Sequence, residues 1–405
     1  MHDAWIDRAL LSLLRKMVKP APVRISLGSP QTEITTLPSS VPTIWIKDRS
    51  SLIALLRNPQ MNFGDLYSNG KIMVEGDLVG FLESLYRLPQ KWPAKLQSRW
   101  LTLTQSNSLR GSRRNVRYHY DLSNDFYRLW LDSQMVYTCA YFPQESAGLE
   151  EAQRAKLDLV CRKLWLRPGE KVVEAGCGWG ALSLHMARHY GVQVKAFNIS
   201  REQLAFARER AKREGLDGQV EFIEDDYRNV RGQFDAFVSV GMLEHVGKSN
   251  HADLGRVIQR AIGNTGRGLL HFIGRNRPTP LSPWIRKRIF PGGYPPALRE
   301  VVDILGPHDY SVLDVENLRY HYARTLEFWL HAFERSYDTV VGMFDARFAR
   351  MWRLYLAGSI AGYRVGTMQL FQVVFAGRQC ATLPWTRAYL YESDDQSVRT
   401  QSAVL

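Results

Sequence analysis

The sequence predicts an α/β protein built on a mostly parallel sheet, with a small mixed α/β domain before it. Strand-like and helix-like segments alternate from residue 171 to residue 273, and the first strand runs directly into a glycine-dense turn. The chain of 405 residues is too long for one typical domain, which suggests two. We expect an N-terminal domain at 1–104, a basic linker at 105–115 and the main domain at 116–405.

The glycine-dense turn occupies 171–180, Lys-Val-Val-Glu-Ala-Gly-Cys-Gly-Trp-Gly. The two valines suit a buried parallel strand, and Glu174 lies where that strand ends. Gly176, Gly178 and Gly180 then allow a sharp turn because they carry no Cβ, and a helical pattern follows. Such a turn is typical of any doubly wound nucleotide-binding fold, and by itself it is also compatible with a simple strand-to-helix connection.

Polar residues follow the next predicted strands. The strand at 193–198 ends in Asn198 rather than Asp or Glu, so the carboxylate that binds ribose in NAD sites is missing. An acidic cluster at 224–226 follows the strand at 219–223, and the strand at 233–240 stops at 241–247. Ligands bind at the carboxyl ends of such strands. From about 171 to 274, this order resembles class I S-adenosylmethionine (SAM) methyltransferases.

Seven motifs narrow the resemblance to the cyclopropane fatty acid synthase family, which includes the mycolic acid methyltransferases. They lie, in the order that the family shows, at 119–126, 135–142, 176–180, 199–203, 226–228, 241–247 and 271–274. The N-terminal segments 63–67 and 74–78 resemble the extra domain of the bacterial phospholipid-modifying members. Two positions depart from the usual pattern: Asn198 replaces a threonine, and Leu243 replaces an aromatic residue.

The composition indicates an anionic partner, since the formal net charge is +13 and the pI is about 9.6. Composition alone does not separate nucleic acid from an anionic membrane surface. The cysteines are scattered, which argues against a disulfide framework or a thiolate metal site and favours a reducing cytoplasm; they are Cys139, Cys161, Cys177 and Cys380. No apolar run is long enough for a membrane span, and charges interrupt the N-terminus in a way that is unlike a signal peptide.

Predictions also follow for four further segments, and three of these segments have two interpretations. Residues 2–18 form an amphipathic helix, with Trp5, Ile6, Ala9, Leu10, Leu13, Leu14 and Met17 on one face, which packs on its own domain or contacts a membrane. The arginines of 105–117 are either a solvated surface or a patch that faces lipid phosphates. The proline-rich segment at about 275–300 is a lid that touches lipid or a plain surface loop. A last strand at 370–375 is expected to run antiparallel at the sheet edge.

The resemblance implies a SAM site. Gly176, Gly178 and Gly180, with Glu174 at the strand end, would contact the methionine and ribose parts, and Tyr120 and Thr138 would cover the methionine end. The ribose and adenine side would contact Asn198, Ser200, Gln203, Asp226 and Tyr227. Asp225 competes with Asp226 for the adenine amino group. No metal is expected.

The resemblance also implies the reaction. The π bond of a cis-unsaturated acyl chain would take the methyl group of SAM, which creates a carbocation that needs a dry, aromatic-lined pocket. Candidate aromatic residues, each of which could equally be a core residue, are Tyr141, Phe142, Trp179, Tyr322, Phe328 and Trp329. A bound bicarbonate would remove a proton so that the ring closes. Its cage would comprise Cys139, Glu244, His271, Tyr322 and the backbone of Ile273.

We therefore expect a cyclopropane-fatty-acyl-phospholipid synthase, peripheral to the inner face of the cytoplasmic membrane, with a homodimer implied by the family. A related alternative is a SAM-dependent enzyme that leaves a methyl or methylene branch on the chain. A nucleic-acid methyltransferase would suit the charge, but the Asn/Asp-Pro-Pro-aromatic motif of amino-group methylases and a recognisable nucleic-acid-binding module are missing. A non-catalytic lipid carrier would not need the intact glycine turn.

Overall fold

The structure is a computed structural model that describes residues 2–28, 41–88 and 122–391, with side chains described from residue 5 onward. The predicted linker at 105–115, Tyr120 and the expected domain boundary near residue 104 lie outside these ranges. None of the described helices is both long and apolar enough to cross a membrane.

The described part of the N-terminal domain contains three strands and four helices. They are α1 (His2–Val18), β1 (Arg24–Leu27), β2 (Thr43–Ile46), α2 (Arg49–Arg57), α3 (Pro59–Ser68), β3 (Ile72–Glu75) and α4 (Leu78–Tyr86). In the sheet, β1 pairs parallel with β2, and β2 pairs antiparallel with β3. Asp48, Asn58 and Asp77 cap the starts of α2, α3 and α4 by accepting backbone N–H bonds. The predicted mixed α/β domain is confirmed.

Helix α1 packs on its domain through one edge of the apolar face that the sequence predicts. Leu14 is buried against the domain and Leu10 packs beside it. Trp5 and Leu13 remain 70% and 50% exposed, and Met17 is also exposed. At about 100° per residue, positions 17, 13 and 5 continue the same face around the helix from position 10, so most of the predicted face points away from the domain.

The main domain is a seven-stranded sheet with helices on both faces. Its strands are β4 (Lys171–Ala175), β5 (Gln193–Asn198), β6 (Val220–Glu224), β7 (Ala236–Val240), β8 (Arg267–Gly274), β9 (Tyr310–Asn317) and β10 (Gln369–Gly377). The strand order is β6-β5-β4-β7-β8-β10-β9, and β4 to β8 are parallel. The chain reverses strand order beside β4, where such sheets hold ligands. The predicted Rossmann-like fold is confirmed.

The last strand is antiparallel, as predicted, but it does not lie at the sheet edge. Strand β10 pairs antiparallel with β8 on one side and with β9 on the other. The edge is β9, which the sequence interpretation missed. All nine residues of β10 are buried, as an interior strand requires, whereas the side chains of β9 alternate between buried or half-buried and exposed.

The helices of the main domain cover the sheet and form a helical layer beside it. They are α5 (Asn124–Arg128), α6 (Leu149–Lys163), α7 (Ala181–Tyr190), α8 (Arg201–Arg213), α9 (Leu243–Val246), α10 (His251–Ile262), α11 (Pro283–Arg288), α12 (Leu298–Leu305), α13 (Arg319–Arg335), α14 (Tyr337–Met343) and α15 (Ala346–Arg364). One apolar core lies between the sheet and α6, α7 and α8, and a second lies under α10 and α12. A third core joins α13 and α15 to the N-terminal domain.

The segment predicted as a lid contacts the N-terminal domain. Asp65 of α3 accepts two hydrogen bonds from the Arg288 guanidinium, at 2.9 and 3.0 Å, and one from the Trp284 indole at 3.2 Å. The indole lies so close to Gly64 that a Cβ there would approach it to 2.3 Å. Helix α11 is therefore anchored on α3 by a salt bridge and by a glycine that makes room for a tryptophan.

Candidate functional site

An open cleft lies at the carboxyl ends of β4, β5 and β7 and encloses about 1100 Å³, including its mouth. Predicted cofactor-site residues that line it are Thr138, Glu174, Gly176, Gly178, Asn198, Gln203, Asp225, Asp226 and Tyr227. Trp179, Met242 and His245 add further wall. This is the position where a doubly wound sheet binds its ligand.

The glycine turn forms one wall of the cleft. Gly176 and Gly178 have φ angles of +86° and +53°, in the region that favours glycine. Gly180 has φ +82° but does not line the cleft; a Cβ there would lie 2.6 Å from the Phe222 ring. Gly176 and Gly178 therefore shape the ligand space, whereas Gly180 allows the turn to pack against β6.

Two buried ionisable side chains lie at the deep end of the cleft. Glu174, at the end of β4, accepts a hydrogen bond from the Ser183 hydroxyl, and burial raises the pKa of its carboxyl to about 7. Lys156, on α6, donates to the Thr138 hydroxyl at 2.8 Å, and burial lowers the pKa of its ammonium group to about 8. The sequence analysis missed Lys156.

Asn198 supports the glycine turn with all of its hydrogen-bonding groups. Its NH2 group donates to the Gly178 carbonyl at 3.1 Å and to the Gln203 side-chain oxygen at 2.9 Å. Its own oxygen accepts from the backbone N–H groups of Ile199 and Ser200. The Ser200 hydroxyl accepts from the Gln203 backbone N–H at the start of α8. Ser200 is fully buried and does not line the cleft, so its position is that of a helix cap.

The acidic pair after β6 is asymmetric. Asp226 is buried, and its carboxylate accepts two hydrogen bonds from the Arg228 guanidinium, at 2.8 and 2.9 Å. Asp225 is half-buried and accepts from the Asp226 backbone N–H and from the Asn229 side chain. Both line the cleft, with the Arg228 guanidinium 5.5 Å from the Tyr227 ring centroid. The sequence analysis missed Arg228, which fixes the orientation of Asp226.

A buried polar cluster lies directly behind the cleft. We use this name for Cys139, Glu244, His271, Tyr322 and Tyr363, which are all buried. His271 and Ile273 face the same side of β8, and the Ile273 backbone N–H donates to Glu244 Oε1 at 3.4 Å. The rings of Tyr322 and Tyr363 lie 4.7 Å apart. Burial and the nearby Glu244 and Cys139 raise the pKa of both phenols.

The buried polar cluster holds side-chain atoms that lack hydrogen-bond partners among the described residues. They are Glu244 Oε2, His271 Nε2 and the Tyr363 hydroxyl. Burial raises the pKa of the Glu244 carboxyl to about 7 and holds the pKa of His271 well below its usual range. Gln372 Nε2 lies 3.0 Å from His271 Nδ1, and an amide NH2 there donates to Nδ1, which leaves the ring proton on Nε2. The cluster thus keeps buried donors and acceptors that the described residues leave without partners.

Neighbouring residues of the chain divide between the two sites. Thr138 lines the cleft, whereas Cys139 belongs to the buried polar cluster. His245 lines the cleft, whereas Glu244, one residue earlier on α9, faces β8. The cleft and the cluster are therefore neighbours at 138–139 and at 244–245, where consecutive residues belong to different sites. We call these two places the partition.

The predicted aromatic residues separate into two groups. Trp179, Tyr322 and Trp329 are buried in the core that also contains Trp130 and Tyr137, with the Trp130 and Trp329 ring centroids 5.6 Å apart. Phe142 instead stacks on Phe328 at 5.8 Å, and Tyr141 stacks on His321 at 4.9 Å. Within the first group, the Tyr322 and Trp329 ring centroids lie 6.0 Å apart.

Some of the contacts that the sequence analysis missed could have been found from polar residues at positions where the pattern requires apolar ones. Gln153 and Lys156 fall on the buried face of α6, where the spacing calls for apolar residues. Gln372 is likewise a polar residue inside a fully buried strand. Buried polar groups need partners, so each predicts a specific contact. The described residues contain no group of three or more His, Cys, Asp or Glu side chains that could hold a metal ion.

Comparison with known proteins places the chain. A family model described as mycolic acid cyclopropane synthetase matches residues 107–373. A probable fatty acid methyltransferase of Pseudomonas putida is 36% identical over 377 residues, covering 87% of this chain and 92% of that protein. The chain belongs to the mycolic acid cyclopropane synthetase family. The family predicted from the motifs is thereby confirmed, and so is the prediction of a SAM-dependent methyltransferase.

Two other members of the family extend the comparison. The cyclopropane-fatty-acyl-phospholipid synthase of Escherichia coli K12 is 42% identical over 260 residues, which cover 64% of this chain and 66% of that enzyme. The crystal structure of the mycolic acid cyclopropane synthase CmaA1, complexed with SAH and CTAB, is 30% identical with a TM-score of 0.62. It covers 65% of this chain and 97% of that one.

Proposed function

We propose that this enzyme transfers a methylene group from SAM to the cis double bond of an unsaturated phospholipid acyl chain and forms a cyclopropane ring. The observation that carries the proposal is the buried polar cluster next to the cleft. Its members Glu244, His271 and Tyr363 each hold a buried atom that lacks a hydrogen-bond partner among the described residues. A simple methyl transfer needs placement of its reactants but no such group of proton acceptors and donors. Ring closure needs them, because a proton must leave the transferred methyl.

The cleft fits SAM, which supplies a methyl group on a sulfonium that is already a good leaving group. Gly176 and Gly178 let the backbone approach the ligand, with Asn198 holding the turn. The fixed carboxylate of Asp226 is suited to the adenine amino group, with Tyr227 beside it. Asp225 is the less buried of the two acids. Thr138, Glu174 and Gln203 complete the polar lining.

The buried polar cluster fits bicarbonate, which when bound supplies a base for the proton that leaves. A small oxyanion requires donors, and the cluster offers His271 Nε2–H, the Tyr363 hydroxyl and a Glu244 carboxyl whose pKa is raised to about 7. Cys139, Tyr322 and the Ile273 backbone border the same space. Gln372 holds the imidazole in the tautomer that donates.

Burial of the cluster protects a carbocation from water. Trp329 and Tyr322 meet edge to face at 6.0 Å, and Trp130 packs on Trp329. Aromatic faces attract cations without attacking them. These residues therefore exclude water and offer electron-rich surfaces beside the cluster.

A second candidate function is C-methylation that leaves a methyl or methylene branch. The Pseudomonas putida relative, which covers more of this chain than the Escherichia coli enzyme, is called a probable fatty acid methyltransferase. Leu243, in place of an aromatic residue, precedes Glu244 on α9 and is buried in the core under α10 and α12. The two functions share the cleft and the first step. In ring formation the transferred methyl loses a proton and bonds to the cationic carbon, whereas in branching a hydride shift first moves the cation to the methylated carbon, and the proton then leaves from the methyl or from a chain carbon.

Mass spectrometry of acyl chains, after incubation of the protein with SAM and vesicles of cis-monounsaturated phospholipid, tests the proposal. Both candidate products gain one CH2, so ozonolysis must follow. A product that resists ozonolysis is the cyclopropane, and a product that is cleaved is a branched alkene and overturns ring formation. In CO2-free buffer we expect turnover to fall, and added bicarbonate should restore it.

The proposed substrate requires a lipid surface, and α1 offers a contact with it. Its outward side exposes Trp5, Leu13 and Met17, and the chain carries a net charge of +13. The four cysteines are all free, which suits the reducing inner side of the cytoplasmic membrane.

Leu13→Gln should weaken co-sedimentation with anionic vesicles a few-fold. Leu313→Gln, at an exposed leucine of β9, is the matched control, and equal losses would argue against α1.

A further inference from the structure

Lys156 is a buried cation in the wall of the cleft. Its side chain is 1% exposed and lies on the inner face of α6, with Gln153 one turn earlier. The Gln153 NH2 group donates to the Thr138 carbonyl at 2.9 Å, and the Lys156 ammonium donates to the Thr138 hydroxyl at 2.8 Å. Helix α6 thus places an ammonium group at the deep end of the cleft, beside Glu174.

Among the described residues, Lys156 lacks a carboxylate within ion-pair distance, and a second lysine of the same helix shows the contrast. Lys163, two turns later and equally buried, contacts Glu316 at 2.5 Å and Asp314 at 3.4 Å. Lys156 has the Thr138 hydroxyl instead, which satisfies one of its three N–H donors. A buried ammonium without a counter-ion is costly, so such a group is expected to meet an anion from outside the chain.

The charges around Lys156 specify the kind of anion. Burial lowers the pKa of Lys156, and Asp132 and Glu174 are the carboxylates that oppose this shift without forming a direct ion pair with it. Of the two, Glu174 lines the same end of the cleft as Lys156. A cation and a carboxylate that stay apart in one wall are complementary to a zwitterion. The chemical group that carries an ammonium and a carboxylate on one carbon is an α-amino acid, and the methionine end of SAM is one.

We propose that Lys156 binds the α-carboxylate of SAM, with the Thr138 hydroxyl beside it and Glu174 on the side of the α-ammonium. This inference rests on the proposed use of the cleft as a SAM site and adds the residue that orients the amino-acid end. By fixing the amino-acid end of SAM, Lys156 sets the position of the sulfonium along the cleft. Lys156 does so from beside the partition at 138–139, where it contacts Thr138.

A pair of ligands that differ only in the carboxylate tests the inference. Calorimetry would compare S-adenosylhomocysteine (SAH) with its decarboxylated form, on the wild type and on Lys156→Met. We expect the wild type to bind SAH at least about tenfold more tightly than the decarboxylated form, because a hydrogen bond to a charged group is lost. In Lys156→Met this preference should disappear. The variant should bind the decarboxylated form within about twofold of the affinity that the wild type has for that same form.

The outcomes separate the inference from the function on which it rests. If the wild type binds neither ligand, the proposed SAM site is wrong. If the wild type binds SAH and Lys156→Met weakens both ligands equally, Lys156 only holds the 136–138 segment and the inference fails. Lys163→Met is the matched control and should leave the preference intact. Should Lys156→Met not fold, equal wild-type affinities for the two ligands would still overturn the inference.

Discussion

The cleft and the buried polar cluster meet at consecutive residues of the chain, yet they differ in how far their polar groups are satisfied. In the cleft, Asn198 uses its whole amide to hold the glycine turn, and Asp226 is held by the Arg228 guanidinium. The cleft leaves donors of Lys156 and the Tyr227 hydroxyl for a ligand. In the cluster, the acidic and basic side chains themselves, Glu244 and His271, each keep a buried atom without a partner among the described residues. The turn and the adenine side of the cleft are therefore fixed before a ligand binds, whereas the cluster is arranged around atoms that a bound group would satisfy.

The largest expected effect comes from Glu244→Gln, which keeps the shape of the cluster and removes its ionisable carboxyl. Turnover should fall about 100- to 10,000-fold, the range for loss of a general acid–base group. SAH affinity should stay within about twofold, because Glu244 does not line the cleft.

Calorimetry and turnover assays on one preparation check this prediction. Glu300→Gln is the matched control, since that buried carboxylate is already satisfied by Tyr294 and by the Ala297 backbone N–H. A loss of SAH affinity in Glu244→Gln would erase the distinction between the two sites.

The next effect is on stability and pH. Burial raises the pKa of Glu244 from 4.5 to about 7, so the folded protein holds more protons than the unfolded chain between these values. The free energy of unfolding should therefore fall as the pH rises from about 4.5 to about 7. Glu244→Gln should flatten part of this slope and, at pH 8, be more stable than the wild type by about 3 kcal/mol at most.

Urea denaturation at pH 5.5 and 8 measures that slope. The Glu174 carboxyl, also raised to about 7, and Asp132, raised to about 6, contribute in the same direction and remain in the variant. An unchanged slope in Glu244→Gln would mean that its carboxyl is not desolvated, and the contrast with the cleft would fail.

A smaller effect is expected from Gln372→Leu, which removes the amide beside His271 Nδ1. Without that donor the imidazole can place its proton on either nitrogen, so turnover should fall about tenfold, in line with one hydrogen bond. KM for SAM should not change. If KM rose while turnover at saturation stayed constant, Gln372 would belong to the cleft rather than to the cluster.

The smallest effect is expected from Asn198→Asp. This change keeps the oxygen that accepts from Ile199 and Ser200 and loses both donors to Gly178 and Gln203. SAH affinity should weaken about fivefold, because only about half of the roughly 2 kcal/mol lost with two neutral hydrogen bonds should reach the ligand through the turn, and turnover at saturating SAM should persist. Unchanged affinity would show that the turn keeps its shape without Asn198.

Local patterns in the sequence were sufficient for the strands β4 to β8, the glycine turn and the cleft residues near it. They did not reveal that β9 takes the sheet edge and that β10 lies inside, because strand order depends on pairing between segments far apart in the chain. Asn198 lines the cleft, whereas Ser200 lies outside its lining as a helix cap, because which partner a polar side chain takes depends on distances that spacing does not contain. Lys156 was missed because one charged residue on an apolar helix face looked like an exception to the pattern.

The fit of Trp284 against Gly64, with Arg288 on Asp65, bears on how the molecule can be divided. A main domain produced alone would expose the Trp284 indole and would leave the Arg288 guanidinium without the Asp65 carboxylate. The same segment continues to Phe290, which contacts His245 in the wall of the cleft. Any shortened version of this chain must therefore redesign that surface.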